Sequence, residues 1–134
     1  MITNDGVACF PAAGPSSPDL YATTPVQGAT TIVEINVGPF RKVGLVRLKI
    51  KWVSGTAANF TPYIFSKSGV TTAGDISQEY AGAATAVATL FDPQLADAPV
   101  VMQADVYGKL YLMIGPDAGA DNVFQVSARF KVYE

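Results

Sequence analysis

From Thr31 onward, polar and apolar residues alternate with a period of two over most of the chain, the spacing that sends successive side chains to opposite faces of an extended strand. Between 31 and 37, Val33, Ile35 and Val37 share one side, and Ile32, Glu34 and Asn36 share the other; Gly38-Pro39 then breaks the run. The alternation is sharpest from Val43 to Val53, where Val46, Leu48, Ile50 and Trp52 form an apolar row opposite Arg47, Lys49 and Lys51. It returns from Val123 to Tyr133, with Phe124, Val126, Ala128, Phe130 and Val132 facing in and Gln125, Ser127, Arg129 and Lys131 facing out. Both segments predict half-buried strands. Residues 59–66 form an aromatic-rich strand in which Pro62, having no N–H, predicts an edge or bulge position.

The weaker segments fill in the architecture. Glycines at 69, 74 and 82 predict a loop over 67–82 with a short strand at 76–80. In 83–90, alanine favours helix, but Thr85, Val87 and Thr89 alternate with Ala84, Ala86 and Ala88. The run is short for a stable helix, so strand is the preferred reading, with side chains small enough to admit another sheet or subunit. Val100–Val106 and Lys109–Ile114, separated by Tyr107-Gly108, predict a hairpin. Residues 1–30 carry Pro11, Pro15, Pro18 and Pro25, which disfavour helix interiors and central strands. They predict an extended Pro/Gly-rich N-terminal arm (1–30) with Phe10, Leu20 and Tyr21 as apolar anchors, ahead of a β-sandwich domain (31–134). Seven or eight strands with no amphipathic helix predict an all-β, two-layer antiparallel β-sandwich, jelly-roll-like.

Composition supports one folded domain. A chain of 134 residues can remove roughly two-thirds of its unfolded surface from water, and 49% apolar with 15% charged residues is a composition that folds. Cys9 is the single cysteine, which excludes an internal disulfide, cysteine-based zinc spacing and a Cys-x-x-Cys redox pair. No apolar run is long enough for a membrane-spanning helix and no basic-then-apolar leader opens the chain, so a soluble product without a membrane partner is expected. The net charge is only −2, yet it is unevenly placed. Arg41, Lys42, Arg47, Lys49 and Lys51 hold five of the nine bases, whereas between 70 and 121 Lys109 alone faces Asp75, Glu79, Asp92, Asp97, Asp105, Asp117 and Asp121.

The chain has no histidine, which removes the commonest general base, the Ser-His-Asp arrangement and the usual zinc sites. Paired carboxylates could still cleave glycosides. The acids, however, sit mainly in loops beside Gly, Pro or Ala, where Asp bonds its own backbone, so no catalytic residue is assigned. Asp117 to Asn122 is the best metal candidate, but it lacks EF-hand spacing and reads better as a turn; Asp92 and Asp97, flanking Pro93, are read the same way. No metal or cofactor is assigned. The Arg47, Lys49, Lys51 row, wider if Arg129 and Lys131 lie on a neighbouring strand, has three readings: a phosphate contact, a solvated face, or a docking surface for an acidic protein. It lacks exposed aromatics at stacking positions, so no specific nucleic acid partner is assigned. Trp52 is read as core with an indole N–H needing a partner, and Tyr63, Tyr80, Tyr107 and Tyr111 as core in preference to a sugar-binding face. Cys9 has no histidine to activate it as a nucleophile.

A Pro/Gly-rich arm leading at Thr31 into a histidine-free sandwich that ends in Lys109–Ile114 and Val123–Tyr133 resembles, in architecture and texture, the small decoration or cement proteins of tailed-bacteriophage capsids. The resemblance implies a virion protein on the capsid exterior that binds the major capsid protein as a homo-oligomer, with a trimer favoured, and braces the shell without catalysis. On that reading Phe10, Leu20 and Tyr21 anchor the arm, while Arg41, Lys42, Arg47, Lys49 and Lys51 meet acidic capsid loops. The competing expectation is a carbohydrate-binding or fibre- or tail-associated β-sandwich module that uses exposed tyrosines or a loop calcium.

Overall fold

The alternating segments become strands in a computed structural model, which describes residues 7–10, 22–25, 31–67, 72, 74–95, 97–119 and 121–133. The strands are β1 (Val7–Phe10), β2 (Ala22–Pro25), β3 (Thr31–Asn36), β4 (Lys42–Ser54), β5 (Asn59–Phe65), β6 (Gln78–Ala81), β7 (Thr85–Ala86), β8 (Val100–Gln103), β9 (Lys109–Pro116) and β10 (Val123–Tyr133). No helix occurs among the described residues. In the first sheet β8 pairs with β4 and β4 with β10, and the far edge of β10 takes both β1 and β2. In the second, β3 pairs with β9 and β9 with β5, and the far edge of β5 takes β6 and β7. Every pairing is antiparallel. Counting β1 with β2 and β6 with β7 as single positions, each sheet has four, and the chain changes sheet between β2 and β3, β3 and β4, β4 and β5, β7 and β8, β8 and β9, and β9 and β10. That order is a jelly roll, a two-layer antiparallel β-sandwich.

One apolar interior lies between the sheets, with Leu45, Leu48, Ile50, Phe124 and Phe130 from the first meeting Ile35, Phe60, Ile64, Leu110, Leu112 and Ile114 from the second. Phe60 and Phe124 cross the layers edge-to-face, with centroids 5.3 Å apart. Such a pair contributes about 0.5–1.5 kcal/mol beyond the area it buries. The pairing of β4 with β10 has two shifts, one at Val53 near the end of β4 and one at Val46, within its inward row. The register jumps from Arg129–Arg47 to Phe130–Leu45, so Val46 is an extra residue in a β-bulge. A bulge moves the alternation by one position, which turns Val43 and Leu45 inward and leaves Val46 half-buried, outside the row in which the sequence placed it.

Four other expectations change. The expected arm is in part sheet: Val7–Phe10 lies opposite Lys131–Ala128, and Ala22–Pro25 opposite Val126–Val123. Prolines do not forbid this, because an edge strand needs hydrogen bonds on one side only and Pro25 is the last residue of its strand. Val100–Val106 and Lys109–Ile114 are not a hairpin. β8 joins β4 in the first sheet and β9 joins β3 and β5 in the second, so 104–108 is a crossing between layers. Within 83–90 only Thr85–Ala86 is strand. Pro62 lies in an interior strand, but its carbonyl accepts from the Gly82 N–H at 2.9 Å, on the side where neither β6 nor β7 pairs with it. In an antiparallel strand the N–H and C=O of one residue point the same way, so no bond to β9 is lost.

The 104–108 crossing needs its glycine. Gly108 has φ +74°, and a Cβ there would stand 2.5 Å from both Gly38 C and Pro39 N. Its carbonyl accepts from Val37 N–H at 2.8 Å and Gly38 N–H at 3.0 Å, tying together the 37–41 and 104–108 loops at this end of the sandwich.

Candidate functional site

Three places on this scaffold gather candidate side chains. The first is the outer face of the first sheet. The β4–β10 register sets Ser127 opposite Lys49, Arg129 opposite Arg47, and Gln125 opposite Lys51. Arg129 therefore does lie on the strand beside Arg47, with Lys131 two residues further along the same face. Alternation places Lys42, Arg47, Lys49, Lys51, Arg129 and Lys131 on one face, six of the chain's nine bases.

These bases do not form one continuous docking strip. Arg47 donates from Nε and Nη2 to the two carboxylate oxygens of Asp92 at 3.2 and 3.1 Å. Lys49 is 6% exposed and Ser127 7%, so the centre of the face is closed to an incoming surface. Arg41 and Lys42 stand at the start of β4 and Lys51 near its end. The nine steps from Lys42 to Lys51 span about 30 Å of strand. Phe10 contributes its backbone to β1, and Leu20 and Tyr21 lie outside the described residues.

The second place is a groove at the far end of β4. Trp52 has the hydrogen-bond partner its indole requires: Asn122 Oδ1, 3.0 Å from Nε1. The same oxygen accepts from Ala57 N–H at 3.0 Å, while Asn122 Nδ2 donates to Ala118 O at 2.9 Å and Gly119 O at 3.4 Å. Asn122 is wholly buried, and its amide joins the end of β4, the 55–58 turn and the 117–122 loop. The half-buried indole borders an open groove of about 540 Å³ that is also lined by Lys51, Val53, Val87, Thr89, Leu90 and Gln125. The small-residue run 83–90, whose small side chains the sequence marked as able to admit another sheet or subunit, contributes Val87, Ala88, Thr89 and Leu90 to the lining here.

The third place is the opposite end. Phe40 has φ +52°, the one non-glycine residue in the left-handed region among those described. An aromatic residue pays no such conformational cost without constraint. Here its N–H donates to Asp105 O at 2.9 Å, its carbonyl accepts from Gln103 Nε2 at 3.0 Å, and Ala104 N–H donates to Arg41 O at 3.0 Å. The ring is left 62% exposed, at the same end as Tyr107 at 74% and an exposed Val106. A second groove of about 470 Å³ runs beside it, lined by Pro39, Phe40, Arg41, Lys42, Gln103 and Tyr133.

The remaining candidates serve local structure. Asp117 accepts from Ala58 N–H at 2.9 Å and Asn59 Nδ2 at 3.1 Å, and Asp121 accepts from Thr56 Oγ1 at 3.0 Å. The oxygens of the 117–122 loop are thus engaged in joining two turns, and no group of three or more acidic, cysteine or histidine residues able to hold a metal occurs among the described residues. Tyr111 is buried, and Tyr63 and Tyr80 are half-buried, which leaves Tyr107 as the exposed member of the tyrosine set. Burial raises the Tyr80 phenol above its ordinary value.

No protein-family model matches the chain, and no curated protein matches it. Among solved structures it is similar to chitosan-binding module 1 of a chitosanase/glucanase from Paenibacillus sp. IK-5, at 17% identity over 92% of this chain and 94% of that one, with a TM-score of 0.44. A selenomethionine-labelled mutant of the same module is similar at 16% identity, with the same coverage and TM-score.

Two measurements test this geometry. Asn122→Ala leaves the Trp52 and Ala57 N–H groups without their acceptor. At about 1–3 kcal/mol for each stranded group, urea unfolding should show a loss of about 2–6 kcal/mol, with Trp52 emission shifted to the red. The Asp117 carboxyl is held below its ordinary value first by the Asn59 backbone N–H, then by the Asn59 side chain and the Ala58 N–H. A folded-state value below the unfolded one gives a contribution that is complete above the unfolded value of 3.8 and lost as pH falls through the folded value. The Ala58 and Asn59 amide resonances should therefore move together on acidification below that point, and Asp117→Asn should abolish the movement.

Proposed function

We propose that this chain is a non-catalytic β-sandwich module that binds carbohydrate, with the Trp52 groove as its stacking site. The observation that carries the reading is the indole held in place by Asn122 at 3.0 Å beside an open groove. Sugars present C–H faces that pack on an aromatic surface and hydroxyls that need fixed partners. A groove whose ring and hydrogen-bonding groups are already placed loses little freedom on binding. Around Trp52, Lys51, Thr89 and Gln125 supply those groups. Lys51 is the single charge in the lining, which favours a neutral or carboxylated glycan over a polyamine.

Trp52 is the chain's one tryptophan, so its fluorescence reports this groove alone. Titration with neutral and uronic-acid oligosaccharides should give a saturable change in emission. Gln125→Ala, on a solvent-facing position of β10, should weaken that binding at least fivefold with an unchanged circular-dichroism spectrum. A panel in which no saccharide perturbs Trp52, or in which Gln125→Ala binds as tightly as the parent, rejects the proposal.

A second reading rests on a different observation, the exposed Phe40 and Tyr107 rings with Arg41 and Lys42 beside them. Aromatic residues and arginine dominate the energetic centres of protein interfaces. Attachment to the exterior of a phage capsid, through contacts with the major capsid protein, would use this end. Phe40→Ser should then reduce cosedimentation with shells more than tenfold, and retention of wild-type binding by that variant removes the reading.

A further inference from the structure

Between the two ends, β4 and β10 bring together groups that the preceding readings do not use. Arg47 and Arg129 are directly opposed in the ladder, next to the bulge at Val46. Like charges facing across an antiparallel pair destabilise it unless something neutralises them. Asp92 does so for Arg47 only, gripping its Nε and Nη2 edge in a two-bond fork. Among the described residues no carboxylate pairs with Arg129. Gln94 is brought alongside by an antiparallel bridge to Arg47, and Val46, Arg47, Gln94 and Arg129 line one hollow of about 440 Å³.

We infer that this hollow is an oxyanion-binding site for a sulfate, phosphate or carboxylate group. Arg129 is the receiving cation, and its planar fork matches two oxygens of such a group at once. Gln94 adds a neutral amide donor. Arg47, its plane fixed by Asp92, borders the hollow as a wall that needs no ordering when Arg129 takes up the anion. Lys131, on the same face, adds to the local field while its ammonium rests over the Tyr133 ring, 5.5 Å from the centroid. The inference is independent of the carbohydrate reading: Arg47 lies four residues from Lys51, about 13 Å along the strand.

The test is titration of the intact protein with inorganic sulfate against chloride at matched ionic strength, following the Arg129 Nε–Hε resonance and the thermal midpoint. A saturable shift of that resonance with a rise in midpoint is expected. Arg129→Gln should abolish both, and Arg129→Lys, which keeps the charge but loses the fork, should bind at least fivefold more weakly. Lys67→Gln, at an exposed position away from this face, should respond as wild type. A sulfated monosaccharide titrated in parallel separates the sources of the anion: equal affinity assigns a free ion, and at least tenfold tighter binding assigns a group carried on a sugar. A response that follows ionic strength alone, or that survives in Arg129→Gln, overturns the site. Should that variant fail to fold, the wild-type Arg129 resonance still decides. Trp52 emission should stay constant during the sulfate titration, so this result and that of the oligosaccharide titration stand or fall separately.

Discussion

Two sheets that each bury one face have a single interior to share, and the chain can fill it only by sending neighbouring strands to opposite layers. Leu48, Ile50 and Phe124 on one side meet Phe60, Ile64 and Leu112 on the other because 37–41, 54–58, 104–108 and 116–122 carry the chain across. Each crossing puts backbone polar groups at the rim of an apolar core, where every N–H and C=O needs a partner. The rims are therefore built from hydrogen bonds: Gly108 O with Val37 and Gly38 at one end, Asn122 with Trp52 and Ala57 at the other. Rigid rims follow from the need to close the core, and rigid rims are where exposed rings can be held still.

That requirement explains why Trp52 and Phe40 are placed so differently from the other aromatic residues. Phe60, Phe124 and Phe130 are wholly buried and contribute through area. Trp52 ends the inward row of β4 where the layers open, so one part of its ring closes the core and another borders solvent, with its N–H fixed to Asn122. Phe40 goes further, since its backbone sits in a conformation that a phenylalanine adopts only when its surroundings enforce it. The bonds to Asp105 and Gln103 enforce it here. Conformational cost spent on keeping an apolar ring in water is difficult to attribute to folding alone. The fold itself assigns neither ring a ligand, because the same sandwich serves many functions.

Period-two alternation was enough to read β3, β4 and β10, the layered class, and the positions of Phe124 through Val132, because burial of one face writes itself directly into residue order. What escaped was anything decided by a partner strand. The bulge at Val46 exists only relative to β10, and the local pattern around Val46 continues without a break. Tyr107-Gly108 announces a reversal but not whether the chain returns to the same sheet. Proline density in the first thirty residues argues against a central strand and leaves open an edge strand, which β10 supplies by offering a free side. The sequence showed that Trp52 needs an acceptor, yet the acceptor is seventy residues away; the partner of Arg47 is forty-five away. Such pairings are made by topology, and residue order alone does not carry them.

The charge pattern shows the same distinction at the level of function. Five bases close in sequence suggested one docking strip, but strand alternation, a buried lysine at the centre and an aspartate from a later loop divide them into separate neighbourhoods. Arg129 and Lys131, remote in sequence, join the face because β10 is the neighbour of β4. Six of the nine bases therefore stand on one strand face, where Asp92 already neutralises Arg47. An anionic group approaching this face would feel the exposed Lys42, Lys51 and Lys131 over a range of about 8–10 Å at physiological salt. Orientation would come from the face as a whole, and selection from whichever side chains are rigid when contact is made.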